Sequence, residues 1–210
     1  MGRINNRCIS HDRIKIPRKT KKKILIAVEG NNKTEKLYFN NFEKAKSSFN
    51  ITYARGNNTD PLKLVKMLIK EIENLNLDLE NGDASFCVFD VDMDYNKNKL
   101  INEAIQIALE KGIQIITSTT CVELWFLLHF EYTTSNLSNN DVIRRLRKFY
   151  PKYEKNINIY SDIHKNIDIA IKNTKLLEKY QKNNDKKIGT VDANPNTEMY
   201  KIVEYLTKKK

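Results

Sequence analysis

The stretch Ser85-Phe86-Cys87-Val88-Phe89-Asp90-Val91-Asp92-Met93-Asp94 constrains this chain more than any other. A short apolar run, rich in β-branched and aromatic residues, stops at three alternating aspartates, and a helical pattern follows. A buried parallel strand that delivers acids to its C-terminal end has this form. Ile24-Leu25-Ile26-Ala27-Val28 is a second run of the same kind, and it ends at Glu29-Gly30. In an open α/β sheet the C-terminal ends of parallel strands face one crevice, where ligands bind. Glu29, Asp90 and Asp92 are therefore expected to converge. Carboxylates held together repel unless protons or a cation neutralise them. Hard divalent cations such as Mg²⁺ or Mn²⁺ accept oxygen ligands of this type.

The remaining segments supply the partners of those strands. Residues 1–20 lack periodicity and read as a basic N-terminal arm. After the Gly30-Asn31-Asn32 turn, Thr34 and Glu35 open a helix to about Lys46, with Leu37, Tyr38 and Phe42 at helical spacing. Phe49 to Ala54 alternates like a strand. Asp60-Pro61 is a helix start, Asp as N-cap and Pro at the first helical position. Leu64, Met67, Leu68, Ile72 and Leu75 form the inward stripe of that helix. A further helix is predicted over roughly 97–111, closed by Gly112. Ile113 to Thr117 is another buried strand, ending at Thr117-Ser118-Thr119-Thr120, and Cys121 to Phe130 is an apolar helix with Glu123 and His129 set into it. Strand and helix thus alternate four times, the pattern of a doubly wound sheet. From Ser138 onward the pattern is helices alone, about 139–149, 162–182 and 197–208. The expected class is α/β, a mostly parallel sheet flanked by helices. It divides into a basic arm (1–20), an α/β core (21–132) and a helical C-terminal extension packed on the core (133–210).

Charge enters the argument through its location. The chain carries a formal net charge of +11. Residues 1–23 hold nine basic side chains against Asp12 alone, and Lys208-Lys209-Lys210 close the chain, so residues 24–207 are formally neutral. A basic arm on a neutral domain suits phosphate contacts and suits a solubilising tail about as well. Cys8, Cys87 and Cys121 are odd in number and far apart, which argues for a reducing cytoplasm and against a disulfide framework or a zinc site. His11, His129 and His164 are too scattered for a histidine metal cluster. No signal peptide is expected, and the longest apolar cluster, Cys121 to Phe130, is too short to span a bilayer. No Gly-x-x-x-x-Gly-Lys pattern is present, so any ATP hydrolysis falls to a partner.

Each candidate has a structural reading beside the chemical one. Alternation puts Asp90 and Asp92 on one face of an extended segment. Asp94 points the same way if the strand continues, and otherwise caps the next helix. An EF-hand is excluded, because its sixth position would be Tyr95 and its twelfth Ile101. Glu29 is either a group of the crevice or an acid capping the following turn. Glu35 lies in a first helical turn, where the helix dipole favours a carboxylate without chemistry. Glu123 sits in an apolar helix, where burial demands a partner or a metal; a metal ligand, a supporting role beside the ligands and a cap interaction stay open. His129 reads as a packed, hydrogen-bonded histidine. Asp141 to Lys155 carries Arg144, Arg145, Arg147, Lys148, Lys152 and Lys155, with Phe149, Tyr150 and Tyr153 interleaved. It is either a solvated amphipathic helix or a surface whose cations meet phosphates and whose rings stack on bases.

A strand ending Glu-Gly, followed by a later strand ending Asp-x-Asp, resembles the Toprim fold of topoisomerases, primases and OLD-type nucleases. More closely, the chain is similar to the RloB family of bacterial defence-associated proteins. The matching segments are Ile24–Gly30 with Thr34-Glu35 and Tyr38-Phe39, Val88-Phe89-Asp90-Val91-Asp92, Ser118 through Glu123-Leu124-Trp125-Phe126-Leu127-Leu128-His129-Phe130, and Asn194-Pro195-Asn196-Thr197 leading into Val203-Glu204-Tyr205-Leu206. Asn31-Asn32-Lys33 and Ser118-Thr119-Thr120-Cys121 depart from the family's loops, but every acid is kept. The resemblance implies a Toprim-like, Mg²⁺- or Mn²⁺-dependent nuclease acting on DNA or RNA, tRNA included, in anti-phage abortive infection. It also implies an ATPase partner encoded nearby and, as in many Toprim nucleases, a homodimer. On that reading Glu29, Asp90 and Asp92 are catalytic, and the metal is held by Glu29, Asp90, Asp92, Asp94 and Glu123. Lys33, Arg144, Arg145, Arg147 and Lys148 are the nucleic-acid contacts. The rival expectation is a non-catalytic adaptor for the ATPase; a third is an enzyme of small phosphorylated molecules.

Overall fold

Two apolar runs become the central strands, β1 (Lys22–Val28) and β3 (Ala84–Asp90), in a computed structural model that describes residues 21–30, 33–43, 47–91 and 98–207. The basic arm, the Asn31-Asn32 turn, the expected helix end at Lys46, Asp92, Asp94 and Lys208–Lys210 lie outside the described residues. With β2 (Phe49–Tyr53), β4 (Ile113–Thr119) and β5 (Asn196–Thr197) they form one sheet in the order β2-β1-β3-β4-β5. The first four strands are parallel; β5 runs antiparallel to β4, pairing Thr197 with Ser118 and Asn196 with Thr119. The chain therefore has a mostly parallel α/β sheet, as expected.

Alternation along the strands sorts side chains onto two faces. Ile24, Ile26, Val28, Phe86, Val88 and Ile116 face a layer formed by α1 (Thr34–Phe39), α4 (Glu123–Leu127), α5 (Asn139–Phe149), α7 (Ile167–Asn183) and α8 (Met199–Thr207). Leu25, Ala27, Cys87, Phe89 and Ile113 face α2 (Pro61–Asn74) and α3 (Asn98–Glu110). Trp125 and Phe126 are fully buried in the first layer; truncating either to alanine is worth about 3–5 kcal/mol.

Local rules hold at several boundaries. Asp60 caps α2 by accepting the Lys63 N–H at 2.9 Å, and Ser138 and Asp141 form a reciprocal capping box on α5. Gly112 adopts φ 68° where α3 has ended, a conformation that costs glycine little. Other boundaries differ. The first helix stops at Phe39 and tightens into a 3₁₀ turn at Asn40–Phe42. Leu75 follows the last turn of α2 and is 37 % exposed, so it leaves the inward stripe, and Val65 is buried in that helix. The helix expected at 162–182 is broken into α6 (Tyr160–Ile163), a 3₁₀ turn and α7. The C-terminal segment is not helices alone: β5 has two residues, too few to show any periodicity.

Candidate functional site

Strand order puts the crevice between β1 and β3. The connection leaving β1 runs through α1 to β2 on one face, whereas α2 and α3 pack on the other. Such a reversal opens a cleft outside the carboxyl ends of the two strands. Glu29 follows β1 there and Asp90 ends β3, both half-buried. The Glu29 Oε2 atom accepts the Asp90 backbone N–H at 3.2 Å. The sequence-predicted convergence of these two acids is thus a direct contact.

Two further acids reach the same place from the helices above β1, β3 and β4. Glu35 on α1 and Glu123 on α4 are each 2 % exposed. Burial, then the charges of Glu35, Glu123 and Glu29 in that order, hold the Asp90 carboxyl well above the usual carboxylate range, and Lys155 tempers the effect. The nearby thiols respond in the same direction. Burial and Glu29 push Cys87 up to about 12, and burial with Glu123 and Asp90 raises Cys121. Both are neutral thiols, unsuited to serve as nucleophiles. His129 lies apart. It is buried, its Nδ1 is 2.9 Å from the Trp125 carbonyl oxygen, and burial lowers it to about 4.

The C-terminal segment closes over these acids. Tyr153, 1 % exposed, donates its hydroxyl to Glu123 Oε1 at 2.9 Å. The Arg147 Nε–H donates to the Tyr153 carbonyl at 3.0 Å. Asn156 donates its N–H to Thr34 Oγ1 at 3.1 Å and accepts the Lys33 N–H on Oδ1 at 3.2 Å. Tyr153 therefore does not belong with the rings available for base stacking, because the fold turns it inward onto an acid. Among the basic candidates, Arg145 pairs with Glu131 at 2.7 Å and donates to Thr133, and Arg147 is occupied by Tyr153. Arg144 pairs with Asp141 at 2.6 Å on an exposed surface, and Lys33 and Lys148 are exposed. Phe149, 44 % exposed, stacks on Phe130 with centroids 5.2 Å apart.

Asp92 and Asp94 lie outside the described residues, and among the described residues no three His, Cys, Asp or Glu side chains are grouped to hold a metal ion. The donor chemistry nevertheless suits a hard cation, since several carboxylates converge and burden one another electrostatically. A cavity of about 330 Å³ lined by Lys22, Asp83 and Tyr205 lies at the opposite, N-terminal end of the strands, away from this chemistry. Sequence reasoning missed Tyr153 and Lys155 as parts of the site; no local signal marks them, because they arrive from 26 and 28 residues beyond the end of α4. No helix among the described residues is long and apolar enough to cross a membrane.

No curated protein and no solved structure matches the chain. A family model described as RloB-like protein matches residues 24–206, and the chain belongs to that family.

Proposed function

We propose that this RloB-like protein is a Toprim-like, Mg²⁺- or Mn²⁺-dependent nuclease that hydrolyses phosphodiester bonds of DNA or RNA as a bacterial anti-phage effector. The observation that supports this reading most is the acid pair at the β1/β3 switch point: Glu29 bonded to the Asp90 amide, with Glu35 and Glu123 loading the Asp90 carboxyl. Glu29, Asp90 and Asp92 would hold the ion, with Asp94 and Glu123 as further ligands. When bound, the ion polarises a phosphate oxygen and lowers the pKa of a coordinated water.

The chain's own groups supply the rest. The Asp90 N–H holds one Glu29 oxygen at the end of β1, in the crevice where this carboxylate would take a proton from an attacking water. Asp90, raised by burial and by its acidic neighbours, is a carboxyl biased toward keeping its proton. Lys33, Arg144 and Lys148 offer exposed charge for phosphates outside the crevice. Arg145 and Arg147 are engaged within the chain, Arg145 by Glu131 and the exposed Arg147 by the Tyr153 carbonyl, so they offer less to phosphates. Their commitment is also what favours the second reading, an adaptor for a partner ATPase with a weaker hold on nucleic acid.

The deciding experiment is divalent-metal-dependent cleavage of plasmid DNA, single-stranded DNA, total tRNA and an RNA transcript. Wild type is compared with Glu29→Gln and Asp90→Asn/Asp92→Asn, with and without any adjacent ATPase. Cleavage lost in both variants is the expected result. Equal trace cutting by all three proteins, partner present, would leave the adaptor reading.

A further inference from the structure

We infer that Tyr153 is a positioning residue for the crevice: its hydroxyl holds the Glu123 carboxylate in the orientation that an ion between the strand ends requires. The inference rests on the metal-dependent reading above and adds to it a residue from the C-terminal segment. Glu123 is buried in a short helix that is apolar on every side, so its direction is not set by solvent. One of its oxygens, Oε1, takes the Tyr153 hydroxyl at 2.9 Å. A carboxylate with one oxygen bonded to a donor points its remaining lone pairs along a fixed direction, as metal ligands held by a neighbouring group do.

The tyrosine is itself fixed rather than merely near. Its ring lies against Phe126, centroids 6.2 Å apart, on the same helix as Glu123. Arg147 holds its backbone carbonyl, and three residues on, Asn156 ties the strap to Thr34 and Lys33 at the start of α1. The strap thus bridges α5, α4 and α1, and its one buried polar side chain on the crevice side meets an acid. A purely structural tyrosine would satisfy Glu123 without affecting what binds beside it. A positioning tyrosine changes ion affinity when only its oxygen is removed.

The test is Mn²⁺ binding to the full chain, by calorimetry and by electron paramagnetic resonance, with melting temperature measured in chelator as the folding control. Tyr153→Phe keeps the ring and removes the donor. Its Mn²⁺ affinity is expected to fall about tenfold. Glu123→Gln is expected to fall by at least as much, and the double variant no further than Glu123→Gln alone, since both act through one group. Should Tyr153→Phe not fold, Arg147→Met, which frees the strap but leaves the tyrosine, is expected to weaken Mn²⁺ severalfold. Unchanged affinity in a folded Tyr153→Phe, or losses that multiply in the double variant, would overturn the inference. Failure of the underlying reading shows elsewhere: Glu29→Gln would then bind Mn²⁺ as wild type does.

Discussion

Two groups of buried acids in this molecule are neutralised in opposite ways. In the C-terminal layer Glu178 and Glu198 are each 8 % exposed and each pairs with a lysine close by in sequence, Lys182 and Lys201. Glu178 also accepts the Tyr200 hydroxyl at 2.8 Å, and Glu198 accepts the Thr117 hydroxyl at 2.8 Å. Burial pushes Glu178 up, but Lys182, Tyr200 and Lys201 more than offset it and leave it below the usual carboxylate range. At the strand ends, by contrast, acids face acids. Glu29, Glu35 and Glu123 act together on Asp90, and the carboxyl goes up. Crowded acids of this kind are relieved by protons or by a cation, whereas acids beside lysines favour their charged form.

The largest effect that tests this contrast is on catalysis. Asp90→Asn is expected to lower cleavage by roughly 100- to 10,000-fold while raising the melting temperature. The sign follows from linkage. A carboxyl raised in the fold contributes stability that is fully present below about pH 4, and that stability is lost as pH rises through the folded value. Wild type should therefore lose stability relative to Asp90→Asn as pH rises above about 4, read as about 2–4 °C for each 1 kcal/mol. A melting temperature that falls in Asp90→Asn at pH 8 would break the contrast.

The counterpart in the paired group should respond in reverse. Glu178→Gln removes charge-assisted bonds and is expected to cost about 1.5–3 kcal/mol, measured by urea denaturation at pH 7. The cost should fade as pH falls through the lowered value of Glu178, because that group's stabilising effect is present above the unfolded carboxylate range. Glu123→Gln in the same assay should cost less than Glu178→Gln. Equal costs would show that the two groups differ only in position.

His129 sharpens the comparison from the cationic side. Burial lowers it to about 4, against bonds to backbone that favour the charged form, so its neutral state is the one the fold accepts. Stability from this group is lost as pH falls from about 6.5 toward 4. Replacing it by Gln should flatten the urea midpoint over that interval, and an unflattened profile would assign the acid sensitivity to other groups. The smallest effects belong to the surface. Arg144→Ala and Lys148→Ala should stay within about 0.5 kcal/mol of wild-type stability. Both should lower nucleic-acid affinity and the steepness of its salt dependence. Arg147→Ala should destabilise more than either, since its bond to the Tyr153 carbonyl is internal.

Much of the fold was legible because it depends on neighbours in sequence. The apolar runs at 24–28 and 84–90, the Asp60-Pro61 start and Gly112 each carry their rule locally, and each sits where that rule puts it. The apolar helix expected at Cys121 to Phe130 is present, over Glu123–Leu127. The two-residue β5 was not legible: it forms because the edge of β4 holds it, not because propensity or period does. The basic run at 141–155 reads as one surface, yet the fold turns Tyr153 inward, ties Arg145 to Glu131 and the exposed Arg147 to the Tyr153 carbonyl, and leaves Lys148 and Phe149 outward.

By itself the sequence determined the four parallel strands, the alternation of faces along them, and that Glu29 and Asp90 stand at the ends of two of them. Only the tertiary structure decided that the two strands are adjacent at the switch point, that Glu35 and Glu123 join them, and that Tyr153 covers the group. The reason is electrostatic. Whether a carboxylate keeps its charge depends on distances to groups far away in sequence, and a linear pattern fixes direction along a strand but not what packs across its end.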